Sequence, residues 1–250
     1  MSMDDILKRF FVFDLPGEVI MSLIVVAILI ILCLIIFILV KRADPLEKPH
    51  GFLAVVELGV EKIDALVDDN MGASFANFGG FVLAIALFIF TSFIIGLIGF
   101  PNPLTYLGVP LSLALCTFVM IHATSARYTK WKYFKRYIDP IPLFLPVNLL
   151  GMWAPLLSLT LRLFGNAFAG WVLMSIVYWA LGSLSSLIFS ALPAGVNTIF
   201  IAPLITPALH LYFDLFSGAI QTLVFMFLTM LFVAQEKPEE EKMEEQLALA

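Results

Sequence analysis

The stretch LSLTLRLFGNAFAG, Leu157 to Gly170, holds one charged side chain, Arg162, among apolar neighbours. The next formal charges along the chain are Asp139 on one side and Asp214 on the other. Between them lies sequence apolar enough to sit in a lipid bilayer. A charge at the bilayer centre costs about 2.5 to 3.5 kcal/mol on insertion scales, and a guanidinium cannot escape that cost by losing its proton. An arginine kept there points to a fixed positive charge on an ion path. The bland alternative is an arginine that snorkels, or one neutralised by a structural partner such as Asp214.

Working outward, the composition agrees with a membrane setting. The chain is 61% hydrophobic and 13% charged, with a mean hydropathy of +1.01. That describes an all-α polytopic membrane protein rather than one or two soluble domains. Cys33 and Cys116 both fall inside apolar runs, as small hydrophobes rather than a disulfide or metal pair. The three histidines, His50, His122 and His210, are too scattered for a metal cluster, and no H-E-x-x-H is present. No metal and no tightly bound cofactor are expected. Nucleic acid is not an expected partner either.

Five crossings are expected. Residues 1–18 form a polar lead, and Val19–Val40 is an uncharged run followed at once by Lys41 and Arg42. That run is too long for a signal-peptide core and reads as a first span with a stop-transfer flank. Residues 41–73 form a loop. Within it, Glu57, Glu61, Asp64 and Asp68 recur at helical spacing over 52–72, with Val56, Val60, Ile63 and Val67 on the remaining faces. This segment predicts an amphipathic helix on the membrane surface, its acids facing water or another protein. Spans two and three are placed at 74–99 and 104–125, joined by a short turn with two prolines. A basic loop at 126–140 contains RYTKWKYFKRY, whose cations and aromatics suit the headgroup region.

Residues 141–234 read as a hairpin of two long, tilted helices broken near Pro193–Asn197. Its first arm, about Leu143 to Phe189, would reach roughly 70 Å if continuously helical, against a hydrocarbon core of about 30 Å. Pro146, Pro155 and Gly182 are places where it could bend. The tail, 235–250, is acidic. The count of lysines and arginines on alternate sides predicts an N-terminus outside and a C-terminus in the cytoplasm.

The two arms carry the polar residues. Arg162 and Asn166 are four apart and share a face. Gly165 and Ala169 form a small-xxx-small pair that would let another helix approach closely. On the second arm Thr206, His210, Asp214, Ser217 and Gln221 recur at spacings of four, four, three and four. Such a polar face suggests a water-lined groove; an internal hydrogen-bond network between packed helices is the alternative. On helical rise, Arg162 and Gln221 lie at similar depth, with Asp214 nearer the outside.

LSLTLRLFGNAFAG resembles the signature of subunit a of F-type ATP synthases, and FDLFSGAIQTLVF, Phe213 to Phe225, is similar to that family's last helix. The resemblance implies an ion-translocating stator subunit in a bacterial plasma membrane, carrying H⁺ or Na⁺ through two offset half-channels. It implies that Arg162 faces a ring of c subunits, that Asn166 and Gln221 flank it, and that Gly165 and Ala169 pack toward the rotor. Asp214 falls where the family carries a Glu or His in the outer half-channel, with His210, Ser217 and Thr206 beside the path. Nine residues after the arginine many members carry a Glu or His; here Trp171 stands there and cannot relay a proton. The expected partners are the c ring, the b subunits of the peripheral stalk, the rest of the synthase and the lipid bilayer. No phosphate loop is present, so ATP chemistry would belong to other subunits. A stand-alone secondary transporter or channel is the competing reading, but no internal repeat supports it. An intramembrane hydrolase or a structural anchor explains the embedded arginine poorly.

Overall fold

The computed structural model describes residues 16–44, 51–129, 143, 145–190, 193, 197–198 and 200–237. The leading 15 residues, most of the basic loop, part of the break between the arms and the end of the acidic tail lie outside the described residues. Every element among the described residues is helical, and five helices are long and apolar enough to cross a membrane.

Helix α1, Gly17–Arg42, is the uninterrupted apolar run, with Glu18 in its first turn and Lys41 and Arg42 in its last. Those charges sit favourably on the helix dipole. Only Val25 of its side chains is buried. Helix α2, Phe52–Met71, is amphipathic; Val67 and Met71 are buried against the bundle while Glu57, Glu61, Asp64 and Asp68 stay exposed. The acids border a cleft of about 1330 Å³ shared with Ile36, Val40 and Lys41 of α1. One acid also touches the bundle, because a Cβ at Gly79 would meet the Asp64 carboxylate. The acidic face is therefore not wholly solvated.

Gly72, at φ 84°, ends α2. This left-handed conformation suits glycine because it has no Cβ. A 3₁₀ turn, Ala73–Phe78, then leads into α3, Gly79–Leu97. A second 3₁₀ turn, Pro103–Thr105, is capped by Asn102, whose side-chain oxygen accepts from the Leu104 amide at 3.0 Å. It feeds α4, Gly108–Thr129, so the third span continues into the first residues of the basic stretch.

The two arms follow. Helix α5, Leu145–Ile188, is one helix of 44 residues that runs through Pro155 and Gly182 without ending. The second arm departs from the uniform α-helix expected. It begins at Ala202, where Pro203 occupies an early position that needs no amide donor. It is α-helical over α6, Ala202–His210, π-helical over Leu211–Phe216, and α-helical again over α7, Ser217–Ala234. The extra residue in a π turn rotates everything beyond it, and such turns cluster at functional sites.

Two apolar clusters hold the bundle. In one, Leu156, Leu159, Leu163 and Ala167 of α5 pack with Ile89 and Phe93 of α3, Ala114 of α4 and Phe225 of α7. In the other, Val67 and Met71 of α2 meet Val82 and Ala86 of α3 and Met226, Met230 and Val233 of α7. The spacing of three, four and four along α5 buries one stripe and leaves Arg162 beside it, facing outward. Lys237 donates to the Ser74 hydroxyl at 2.6 Å, fixing the end of the second arm beside the start of span two. At the other end, Ser185 donates to the Asn197 carbonyl at 2.5 Å and Phe189 packs on Phe200.

Candidate functional site

Arg162 is exposed on α5 and lines a cleft of about 340 Å³ with Asn166, Tyr212, Phe216, Ser217, Ile220 and Gln221. The cleft forms where the π turn and the first turn of α7 cross α5. Among the described residues no carboxylate pairs with Arg162: the Asp214 carboxylate takes His210 instead, through Nδ1 at 2.5 Å. The idea of Asp214 as a neutralising partner for the arginine therefore fails on geometry.

Ser217 donates to the Asn166 side-chain oxygen at 3.0 Å, which ties the two arms together beside Arg162. Gln221 is 6% exposed, and its Nε2 has no hydrogen-bond partner among the described residues. A buried amide donor left unmade costs about 1 to 3 kcal/mol, so this side chain is held at the cleft against a penalty. Asn166, Ser217, Gln221 and Arg162 are thus brought together.

Thr206, His210 and Asp214 form a second group, further along the arm. A separate cleft of about 730 Å³ is lined by Leu97 and Gly99, by Tyr178 and Gly182 of α5, and by Thr198, Thr206 and His210. It opens at the hairpin end of the arms. Thr206 is buried and donates to the Ala202 carbonyl of its own helix at 2.9 Å. His210 makes two bonds, one to Asp214 and one through Nε2 to the Tyr178 hydroxyl at 2.8 Å. Asp214 lines neither cleft; along the second arm it falls between Tyr212 and Phe216, which line the cleft at Arg162. Tyr178 and Tyr212 are the additions that sequence reasoning missed. Their aromatic neighbours made them look like ordinary span residues.

The glycines divide in an unexpected way. A Cβ on Gly165 would meet nothing within 4 Å, and Ala169 is exposed, so none of the described helices uses that pair. Close approaches occur elsewhere: Gly218 of α7 lies so near Phe93 that a Cβ would sit 2.6 Å from the ring, and Gly170 faces Phe213. Trp171 is exposed and packs on Phe168. The outer face around Arg162, with Leu157, Leu161, Phe168, Phe216, Ile220 and Leu223, is apolar and, among the described residues, left exposed. Three or more His, Cys, Asp or Glu do not converge into a metal-binding group among the described residues.

Residues 19–234 match the family model described as ATP synthase A chain. The chain is 33% identical over 227 residues to the ATP synthase subunit a of Mycoplasma genitalium, covering 86% of this chain and 77% of that protein. It is 32% identical over 193 residues to ATP synthase subunit a 1 of Syntrophotalea carbinolica, covering 75% of this chain and 74% of that one. Over 134 residues, 53% of this chain and 39% of the relative, it is 37% identical to the sodium ion specific ATP synthase subunit a of Propionigenium modestum.

Proposed function

This chain belongs to the ATP synthase subunit a family, a multi-pass membrane component of an ion-translocating synthase, and from that premise we propose that Arg162 faces a ring of c subunits and couples ion passage to rotation. The observation that carries the reading is an exposed arginine that, among the described residues, has no carboxylate partner and stands on an apolar face nothing covers. A positive charge on such a face suits a partner that presents a carboxylate from outside the chain.

The electrostatics are of the right size. At an effective dielectric constant of 20, a carboxylate arriving within about 4 Å of the guanidinium gains about 4 kcal/mol. That equals about three pKa units on the carboxylate, enough to release a proton bound to it. The same charge repels a cation that tries to pass straight between the two clefts. Asn166 and Gln221 hold the cleft polar around the guanidinium. The side chains along Thr206, His210 and Asp214 form the outer access path, and Gly165 and Ala169 leave room for the rotor. H⁺ is the transported ion in preference to Na⁺. The N-terminus lies outside and the C-terminus in the cytoplasm, with the b subunits of the peripheral stalk meeting the chain on its acidic cytoplasmic side. The subunit has no ATP chemistry of its own.

The test is ATP-driven ion pumping in vesicles that contain the whole synthase, wild type beside Arg162→Ala. The mutant assembles, coupled pumping is lost, and any passive leak that opens locates the barrier at this residue. Pumping near the wild-type rate would make Arg162 structural and sink the reading.

A further inference from the structure

We infer that Tyr178, His210 and Asp214 form a hydrogen-bonded relay that passes protons, and not sodium ions, from the outer cleft to Asp214; the inference rests on the stator reading above. Tyr178 lies on the first arm and the other two on the second. Their contacts run without a gap, Tyr178 Oη to His210 Nε2 at 2.8 Å and His210 Nδ1 to Asp214 Oδ2 at 2.5 Å. Tyr178 and His210 line the 730 Å³ cleft, whereas Asp214 does not. Among the described residues, none lines both this cleft and the one at Arg162.

Asp214 is reached from this cleft through hydrogen bonds, and that favours one ion. A sodium ion, a hard cation, needs continuous space and a shell of oxygen ligands, and imidazole suits it poorly. A proton needs only a chain of hydrogen bonds. The chain stays intact in both charge states of the ring. When the ring is neutral, Nδ1–H donates to the Asp214 carboxylate and Nε2 accepts from the Tyr178 hydroxyl. When it is protonated, Nε2–H donates to the Tyr178 oxygen instead.

The step balances. A hydronium ion in the cleft gives a proton to the Tyr178 oxygen as the hydroxyl's own proton passes to Nε2, which leaves an imidazolium. The Nδ1–H bond then breaks and an O–H bond forms on Asp214 Oδ2. One proton has moved from cleft water to Asp214, which leaves the ring neutral with its proton on Nε2; the starting tautomer returns when the ring, turned toward cleft water, takes one proton on Nδ1 and gives one back from Nε2. Tyr178 thereby does for this chain what no side chain at Trp171 can do.

The test is ATP-driven pumping by the whole synthase in vesicles, in H₂O and D₂O, with ²²Na⁺ uptake followed in parallel. Tyr178→Phe keeps the ring packing and loses the hydroxyl; it pumps roughly tenfold more slowly, with a larger H₂O/D₂O rate ratio than wild type. No ATP-driven ²²Na⁺ accumulation is seen in either. A Tyr178→Phe enzyme with the wild-type rate and isotope ratio overturns the relay, and so does ATP-driven ²²Na⁺ accumulation by wild type. If Tyr178→Phe does not assemble, His210→Gln decides: it keeps a hydrogen-bonding side chain but no titrating nitrogen, and wild-type pumping by it overturns the proposal. Arg162→Ala separates the two readings. Coupling that survives Arg162→Ala fails the stator assignment, whereas coupling lost in Arg162→Ala but unchanged in Tyr178→Phe fails the relay alone.

Discussion

Gly218→Ala tests whether the close contact of α7 on α3 sets the geometry at Arg162. The added Cβ would sit 2.6 Å from Phe93 Cγ and 2.8 Å from its Cβ. Phe93 is 2% exposed and packed in the main apolar cluster, so its ring has nowhere to retreat. Ordinary contact begins near 3.4 Å, so the helices must separate by about 0.8 Å in an interior that packs as densely as a crystal. Overpacking of this kind costs about 1 to 3 kcal/mol, partly offset by about 1 kcal/mol from replacing a helical glycine. The net loss of stability is therefore small. Function is more exposed, because Ser217 and Gln221 flank Gly218 and move with it. A displacement near 1 Å at a working site costs about a hundredfold in rate, so pumping falls by roughly ten- to a hundredfold while the subunit still assembles. The assay is ATP-driven pumping normalised to synthase recovered in the vesicles. Wild-type pumping by an assembled Gly218→Ala enzyme would show that the spacing of α3 and α7 does not govern the cleft.

Gly165→Ala is the complementary experiment. Nothing in the chain meets its Cβ, so thermal stability of the isolated subunit in detergent is unchanged or rises by up to about 1 kcal/mol; pumping by the assembled synthase drops because the rotor must come close there. Gln221→Leu removes a buried amide nitrogen that has no partner and raises subunit stability by about 1 to 2 kcal/mol, measured by detergent melting, while slowing pumping. Thr117 and Thr229 face each other at 3.3 Å in the buried bundle; a double-mutant cycle with valine at each yields a coupling near 0.6 kcal/mol, and a coupling indistinguishable from zero refutes the bond.

Much of this was legible because helical period is visible in a sequence. Arg162 and Asn166 share a cleft, and His210 reaches Asp214, because residues four apart lie one above the other on a helix. The apolar spans were equally plain, since only buried or lipid-facing helices stay uncharged for so long. What escaped depends on how helices are rotated against each other. Tyr178 meets His210 across 32 residues of chain, and nothing near either residue announces it. The π turn at Leu211–Phe216 inserts a residue's worth of rotation that leaves no local mark. Ser217 and Gln221 therefore face Arg162's cleft, while Thr206 and His210 line the other. The glycines divide for the same reason: Gly165 is left open toward the outside, whereas Gly218, which no spacing singles out, is where the chain packs on itself.

The near-complete exposure of α1 bears on how the molecule is made. With Val25 its only buried side chain, α1 asks almost nothing of the rest of the chain. Of the described helices it is the first in chain order, and it is apolar enough to enter the bilayer ahead of those that follow it. Each later crossing then alternates from the orientation that α1 has taken. Its register in the membrane is settled by Lys41 and Arg42 at one end and by lipid along its length. Whether the cleft at His210 opens to one side of the membrane or the other is thus decided during insertion, by a helix that touches neither cleft.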